Sequence, residues 1–186
     1  MDAHEQESFR EFVETRSSAL LKTAVLLSGG DRHAGEDLLQ TALVKAAGRW
    51  QRIDEPEAYV RRILYRQQVS RWRLKWPRRE LAVAEPPERA ASGDGTSAAE
   101  LRIVMRGALA KLTARQRTVL VLRYFEDLPE AEVAAVLGCS VGTVRSTTHR
   151  SLARLRGLAP ELAHLDRHDT AERPASADFS PLEVRP

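Results

Sequence analysis

Three observations predict an all-α chain built as two small helical domains joined by a flexible linker. Apolar residues recur at three-and-four spacing through most of the sequence, the mark of helices with one buried stripe. Between Pro77 and Ser97 that spacing stops, and Pro, Ala, Gly, Ser and Glu take over, with Pro86-Pro87 and SGDGTS in the middle. Near the C-terminus, two helical patterns flank Gly138 as in a helix-turn-helix. The expected organisation is a first unit over 1–76, a linker over 77–97, a second unit over 98–157 and a polar, fraying tail over 158–186.

In the first unit, Phe9, Phe12, Val13, Leu20, Ala24 and Leu27 trace one face of a helix from Glu7 to Leu27, stopped by Gly29-Gly30. Asp31 then caps a second helix running to about Gly48, with Leu38, Leu39, Ala42, Leu43 and Ala46 inward. Its other side carries Asp37, Gln40, Thr41, Val44 and Lys45, which by themselves read as a solvated helix face. After the polar connection WQRIDEPE, Pro56 opens a third helix. There Tyr59, Val60, Ile63 and Leu64 are expected inside. Arg61, Arg62, Tyr65, Gln68, Trp72 and Arg73 are expected outside, with Arg66 on the flank. From Glu57 to Arg79 eight basic residues face one acidic residue, a local charge of +7. Guanidinium groups grip phosphates and rings stack on unpaired bases, so arginines interleaved with Tyr65 and Trp72 point to nucleic acid. The competing reading of the two rings is packing against a neighbouring helix.

The second unit begins near Ala98 with Leu101, Val104, Met105, Ala108, Leu109 and Leu112 at helical spacing. Thr113-Ala114-Arg115-Gln116 is a capping box for a further helix reaching about Phe125. Pro129 to Leu137 forms a short helix, and Gly138 supplies the left-handed turn. Ser140 caps the last helix, whose expected buried stripe is Val141, Val144, Thr148, Leu152 and Leu155. Thr143, Ser146, His149 and Arg150 point away from that stripe, with Arg145 and Thr147 on its flanks, and no acidic residue occurs between Ser140 and Arg156. Such a helix suits the major groove, its early residues at base edges and its arginines also on phosphates. The bland alternative is a helical hairpin with a solvated basic face.

Composition excludes other classes. With 29 Lys+Arg against 26 Asp+Glu the net charge is only +3, so nucleic-acid binding must come from the local clusters. One cysteine, Cys139, leaves no internal disulfide framework and no CxxC metal site. The acidic start MDAHEQESFREFVE has no apolar signal core, and no run of about 18 apolar residues occurs, so the expectation is a soluble cytoplasmic protein without membrane insertion. No catalytic constellation, metal spacing or phosphate-cradling glycine loop stands out, so no cofactor and no enzymatic activity are expected.

LTARQRTVLVLRYFEDLPEAEVAAVLGCSVGTVRSTTHRSLARLR resembles region 4 of the extracytoplasmic-function sigma factors of bacterial RNA polymerase. GEDLLQTALVKAAGRW resembles that family's region 2.2, and YVRRILYRQQVSRWR its helix for the minus-ten promoter element. The resemblance implies an alternative sigma factor, with RNA polymerase core and promoter DNA as partners and an anti-sigma factor as a further partner of the kind the family uses. It assigns polymerase contacts to Asp37, Gln40, Thr41 and Lys45. Minus-ten contacts fall to Arg61, Arg62, Tyr65, Arg66, Trp72 and Arg73, and minus-thirty-five contacts to Thr143, Arg145, Ser146, Thr147, His149 and Arg150. Thr41 stands where the family more often has an acidic residue, and Thr147 and His149 depart from its commonest region 4 pattern. The rival readings are a regulator of the response-regulator kind, against which the basic, aromatic third helix and the missing α/β sensor pattern speak, and a nucleic-acid enzyme, for which no nucleophile or carboxylate cluster is visible.

Overall fold

The computed structural model describes residues 2–75 and 97–159, and among them the regular structure is entirely helical. The linker read over 77–97 and the tail read over 158–186 lie almost wholly outside those residues.

Helix α1, Ala3–Leu27, starts earlier than its apolar spacing predicts because Asp2 and Glu5 form a reciprocal capping box. Two glycines with positive φ, Gly29 and Gly30, turn the chain towards α2, Arg32–Ala47, where the Asp31 carboxylate accepts from the Ala34 N–H at 3.0 Å. The two helices cross at Gly35, where a Cβ atom would sit 2.9 Å from the backbone of Val25. Only glycine allows that approach. A 3₁₀ turn at Trp50–Arg52 buries Trp50, whose ring meets Phe9 edge-on at 5.0 Å, and leads to α3, Pro56–Lys75.

In the second unit α4 spans Ser97–Ala110, and the predicted Thr113/Gln116 capping box opens α5, Ala114–Leu120. The helix does not continue regularly to Phe125. Val121–Phe125 forms a π-helical turn, in which the Glu126 N–H reaches back to the Val121 carbonyl at 3.0 Å. Helix α6, Glu130–Leu137, ends at Gly138 with φ of 60°, and Ser140 caps α7, Val141–Leu158, by accepting from the Thr143 N–H. The helix-turn-helix is thus formed as its spacing predicts.

Leu20, Ala24, Leu27, Leu38, Ala42, Val60 and Leu64 are fully buried between α1, α2 and α3. In the second unit, Leu109, Leu112 and Leu120 pack with Leu152 and Leu155. The units also meet. Val119, Leu122, Val133, Leu137 and Val144 join the same apolar cluster as Tyr65 and Val69, so the turn after α5 and helix α6 cover one side of α3. Full burial of a Val or Leu side chain is worth about 1.5–3 kcal/mol, so this contact is a substantial part of the fold.

This packing corrects two expectations. Tyr65 and Gln68, expected outside, are 5% and 6% exposed, and Trp72 packs against the core cluster. Helix α3 is covered on two sides, and the second stripe, Tyr65, Val69 and Trp72 at helical spacing, faces the other unit. On α7 the buried residues are Val144, Thr147 and Ser151, whereas Thr148 is only partly buried. The stripe is widened and not displaced: Val141, Val144, Leu152 and Leu155 pack inward as expected, and Thr147 and Ser151 join them because α7 is covered by α5 and α6 together.

Candidate nucleic-acid interface

On α7 the exposed side is set by the cap and the turn. Gly138 re-aims the chain, Ser140 fixes the first turn, and Val144 anchors the helix, which leaves Arg145, Ser146, His149 and Arg150 exposed. Thr143 is partly exposed, its hydroxyl 2.9 Å from that of Ser140. The guanidinium of Arg150 donates to the Ser146 carbonyl at 3.1 Å, and Arg145 pairs with Glu130 of α6 at 2.7 Å. That pair holds a mostly exposed arginine beside the face without neutralising the other cations. Thr147, expected among the contacts, is buried and serves packing.

The face of α3 is brought together but not presented. Arg66 is exposed, and Arg62 is partly so. Arg73 lies 5.7 Å from the Trp72 ring centroid and donates to the Leu137 carbonyl at 2.6 Å, reaching the turn at Gly138. Arg61 is held by Glu57, at 2.9 Å, and by Glu126. The Glu126 carboxylate is 3% exposed and accepts from the Thr23 hydroxyl at 2.7 Å, from Arg61 and from the Tyr65 hydroxyl. Burial lowers the Arg61 pKa, but hydrogen bonds and charge from Glu57 and Glu126 more than offset it, so the net shift is upward. Burial, followed by the hydrogen bond and charge of Glu126, drives the Tyr65 hydroxyl far above the ordinary phenol value.

Sequence reasoning missed Thr23, Glu126 and Arg117. The last donates to the Leu27 carbonyl at 3.2 Å and to the Leu109 carbonyl at 3.0 Å, tying the end of α1 to the turn before α5. The second apolar stripe on α3 was the available signal, because a helix with two such stripes needs cover on both.

On α2, Asp37, Gln40, Thr41 and Lys45 are all exposed along one side. Beside them lies an apolar groove of about 350 Å³ lined by Phe9, Val13, Leu21, Leu39, Leu43 and Val44, the last 67% exposed. Among the described residues no helix is long and apolar enough to cross a membrane.

Residues 102–155 match the family model described as Sigma-70, region 4. Over 151 residues the chain is 40% identical to the RNA polymerase sigma-E factor of Streptomyces coelicolor, covering 80% of this chain and 84% of that one. It is 34% identical over 148 residues to the ECF RNA polymerase sigma factor ShbA of Streptomyces griseus, covering 73% and 76%. Among solved structures, the sigma factor RpoE in complex with the anti-sigma factor NepR, from Bartonella quintana, is similar in fold, with a TM-score of 0.59 at 24% identity over 82% of this chain and 96% of that one.

Proposed function

This chain belongs to the extracytoplasmic-function RNA polymerase sigma factors, and from that premise we propose which of its surfaces carry out a sigma factor's work. It is an alternative sigma factor, which binds core polymerase, directs it to particular promoters and helps open the duplex. It acts by binding in the cytoplasm, without catalysis of its own.

The observation that carries the assignment of faces is the α6–α7 helix-turn-helix, whose second helix presents an exposed side and holds no acidic residue. In this reading Thr143, Ser146, His149 and Arg150 enter the major groove of the minus-thirty-five element, and Arg145 contacts its rim. Arg61, Arg62, Tyr65, Arg66, Trp72 and Arg73 take the minus-ten element, where unpaired bases stack on rings and arginines neutralise phosphates. Asp37, Gln40, Thr41 and Lys45 meet the polymerase, and the apolar groove beside them with exposed Val44 receives nonpolar side chains of the polymerase surface. An anti-sigma protein is a fitting further partner, since the Bartonella sigma factor was crystallised with one.

Run-off transcription with purified core polymerase and a genomic promoter pool tests the reading. Discrete transcripts that require this chain are expected. Equal transcription with and without it would overturn the assignment.

A further inference from the structure

We propose that Thr23, Arg61 and Tyr65 form a phosphate-binding site for promoter DNA, and that Glu126 of the second unit fills it as an internal stand-in when the chain is free. The proposal rests on α3 being the minus-ten helix, and goes beyond that by naming the ligand group and its competitor.

The donors come from two helices of the first unit. Thr23 lies on α1, and Arg61 and Tyr65 lie one turn apart on α3. All three donate to a single carboxylate that is 103, 65 and 61 residues away in sequence. A carboxylate and a phosphodiester present the same kind of acceptor, a delocalised anion with two oxygens, and a guanidinium with a hydroxyl on either side suits both. Arg61 is held in place independently of Glu126. Its Nε and Nη2 donate to Glu57 Oε1 at 3.1 and 2.9 Å, and Glu57 is itself 3.4 Å from Arg16. The Nη1 edge is therefore the one committed to Glu126. Separation of the units leaves that edge, the Tyr65 hydroxyl and the Thr23 hydroxyl aimed at one point.

Occupation by Glu126 and by DNA are mutually exclusive, for reasons of charge and of access. Two anions cannot share the three donors. The docked turn and α6 also cover Tyr65, Gln68 and much of Trp72, so no base can stack there while the units are closed. Arg73, though exposed, is engaged across the same contact by the Leu137 carbonyl. DNA binding by the free chain thus requires the opening of this contact, and its apparent affinity is reduced by the fraction of open molecules.

The test compares wild type with Glu126→Gln and Glu126→Ala as free full-length chains, at one salt concentration. Radius of gyration is read by small-angle scattering. Affinity is read by anisotropy for a labelled single-stranded oligodeoxynucleotide with an ordinary backbone, and for the same sequence with a neutral methylphosphonate backbone. The expected result is a larger radius and roughly tenfold or tighter binding for at least one folded variant, given an open state populated at about 10% or less in wild type. The gain should vanish on the neutral backbone and on adding Arg61→Ala. Inorganic phosphate should compete with the oligonucleotide only weakly, because it lacks the stacking bases.

Equal affinity of folded wild type and both variants would overturn the proposal, as would a gain that survives on the neutral backbone. Competition by inorganic phosphate as strong as by the oligonucleotide would also overturn it, since the ligand would then be the free anion. Run-off transcription by wild-type holoenzyme reports separately on the sigma-factor reading, so transcription without any gain for the variants rejects this site alone.

Discussion

Tyr65 holds its hydroxyl proton in a place where the alternative, a phenolate beside the Glu126 carboxylate, is opposed both by burial and by charge. In the unfolded chain the phenol loses its proton near pH 10, whereas in the fold it keeps it. Above that pH the unfolded state binds fewer protons than the folded one, so stability fully present below about pH 10 falls as pH rises further. Denaturant melts between neutral pH and pH 11 should show a steeper alkaline loss for wild type than for Tyr65→Phe, and parallel curves would remove Tyr65 as the cause. On α7 the exposed residues are the proposed DNA contacts. Ser146→Ala should shift base preference, and Arg150→Ala should cost about 1–3 kcal/mol in promoter affinity, read by anisotropy over a set of minus-thirty-five sequences. Unchanged binding by both would move the interface elsewhere. The partners of Tyr65 were not legible in the sequence. Glu126 sits in FEDLP, which reads as an ordinary acidic turn, and nothing local to it announces a donor set 61 to 103 residues upstream.

At the scale of elements, local chemistry decides most boundaries, and these were legible. Asp31, Thr113 and Ser140 each cap the helix that their side chain type and position predict. Ser140→Ala should lower stability by about 1 kcal/mol in denaturant melts, with most of the loss in α7, and a neutral result would mean that the Thr143 N–H finds water as readily. The crossing of α1 and α2 was not legible, because it depends on a distance between helices. Gly35→Ala should cost about 1–3 kcal/mol by forcing those helices apart at Val25, which thermal unfolding measures directly. The same limit explains the outward placement predicted for Tyr65 and Gln68. Periodicity identifies a stripe, but a helix covered on two sides has two, and the charged residues between them give the outer stripe the pattern of a solvated face.

For the whole molecule, the two units share a core while their external faces stay separate. Replacing Asp37 and Gln40 together by Ala should leave thermal stability near wild type, because both side chains are exposed on α2, and should reduce co-purification with core polymerase. Full retention of core binding would place the docking surface elsewhere. The π-helical turn at Val121–Phe125 bears on the molecule in a different way. It uses one residue more than a regular helical turn needs, and that residue sets where Glu126 points. Deleting one residue from Arg123–Phe125 would close the turn to regular α-helical spacing and keep the Glu126–Val121 bond, whereas inserting one more would rotate the downstream chain by about 100° and carry the carboxylate off α3. A surface segment whose end is a partly solvated loop ordinarily tolerates insertions and deletions. Here the tolerance is one-sided: substitutions at Tyr124 or Phe125 and a one-residue deletion should be mild, whereas a one-residue insertion should uncouple the two halves of the chain.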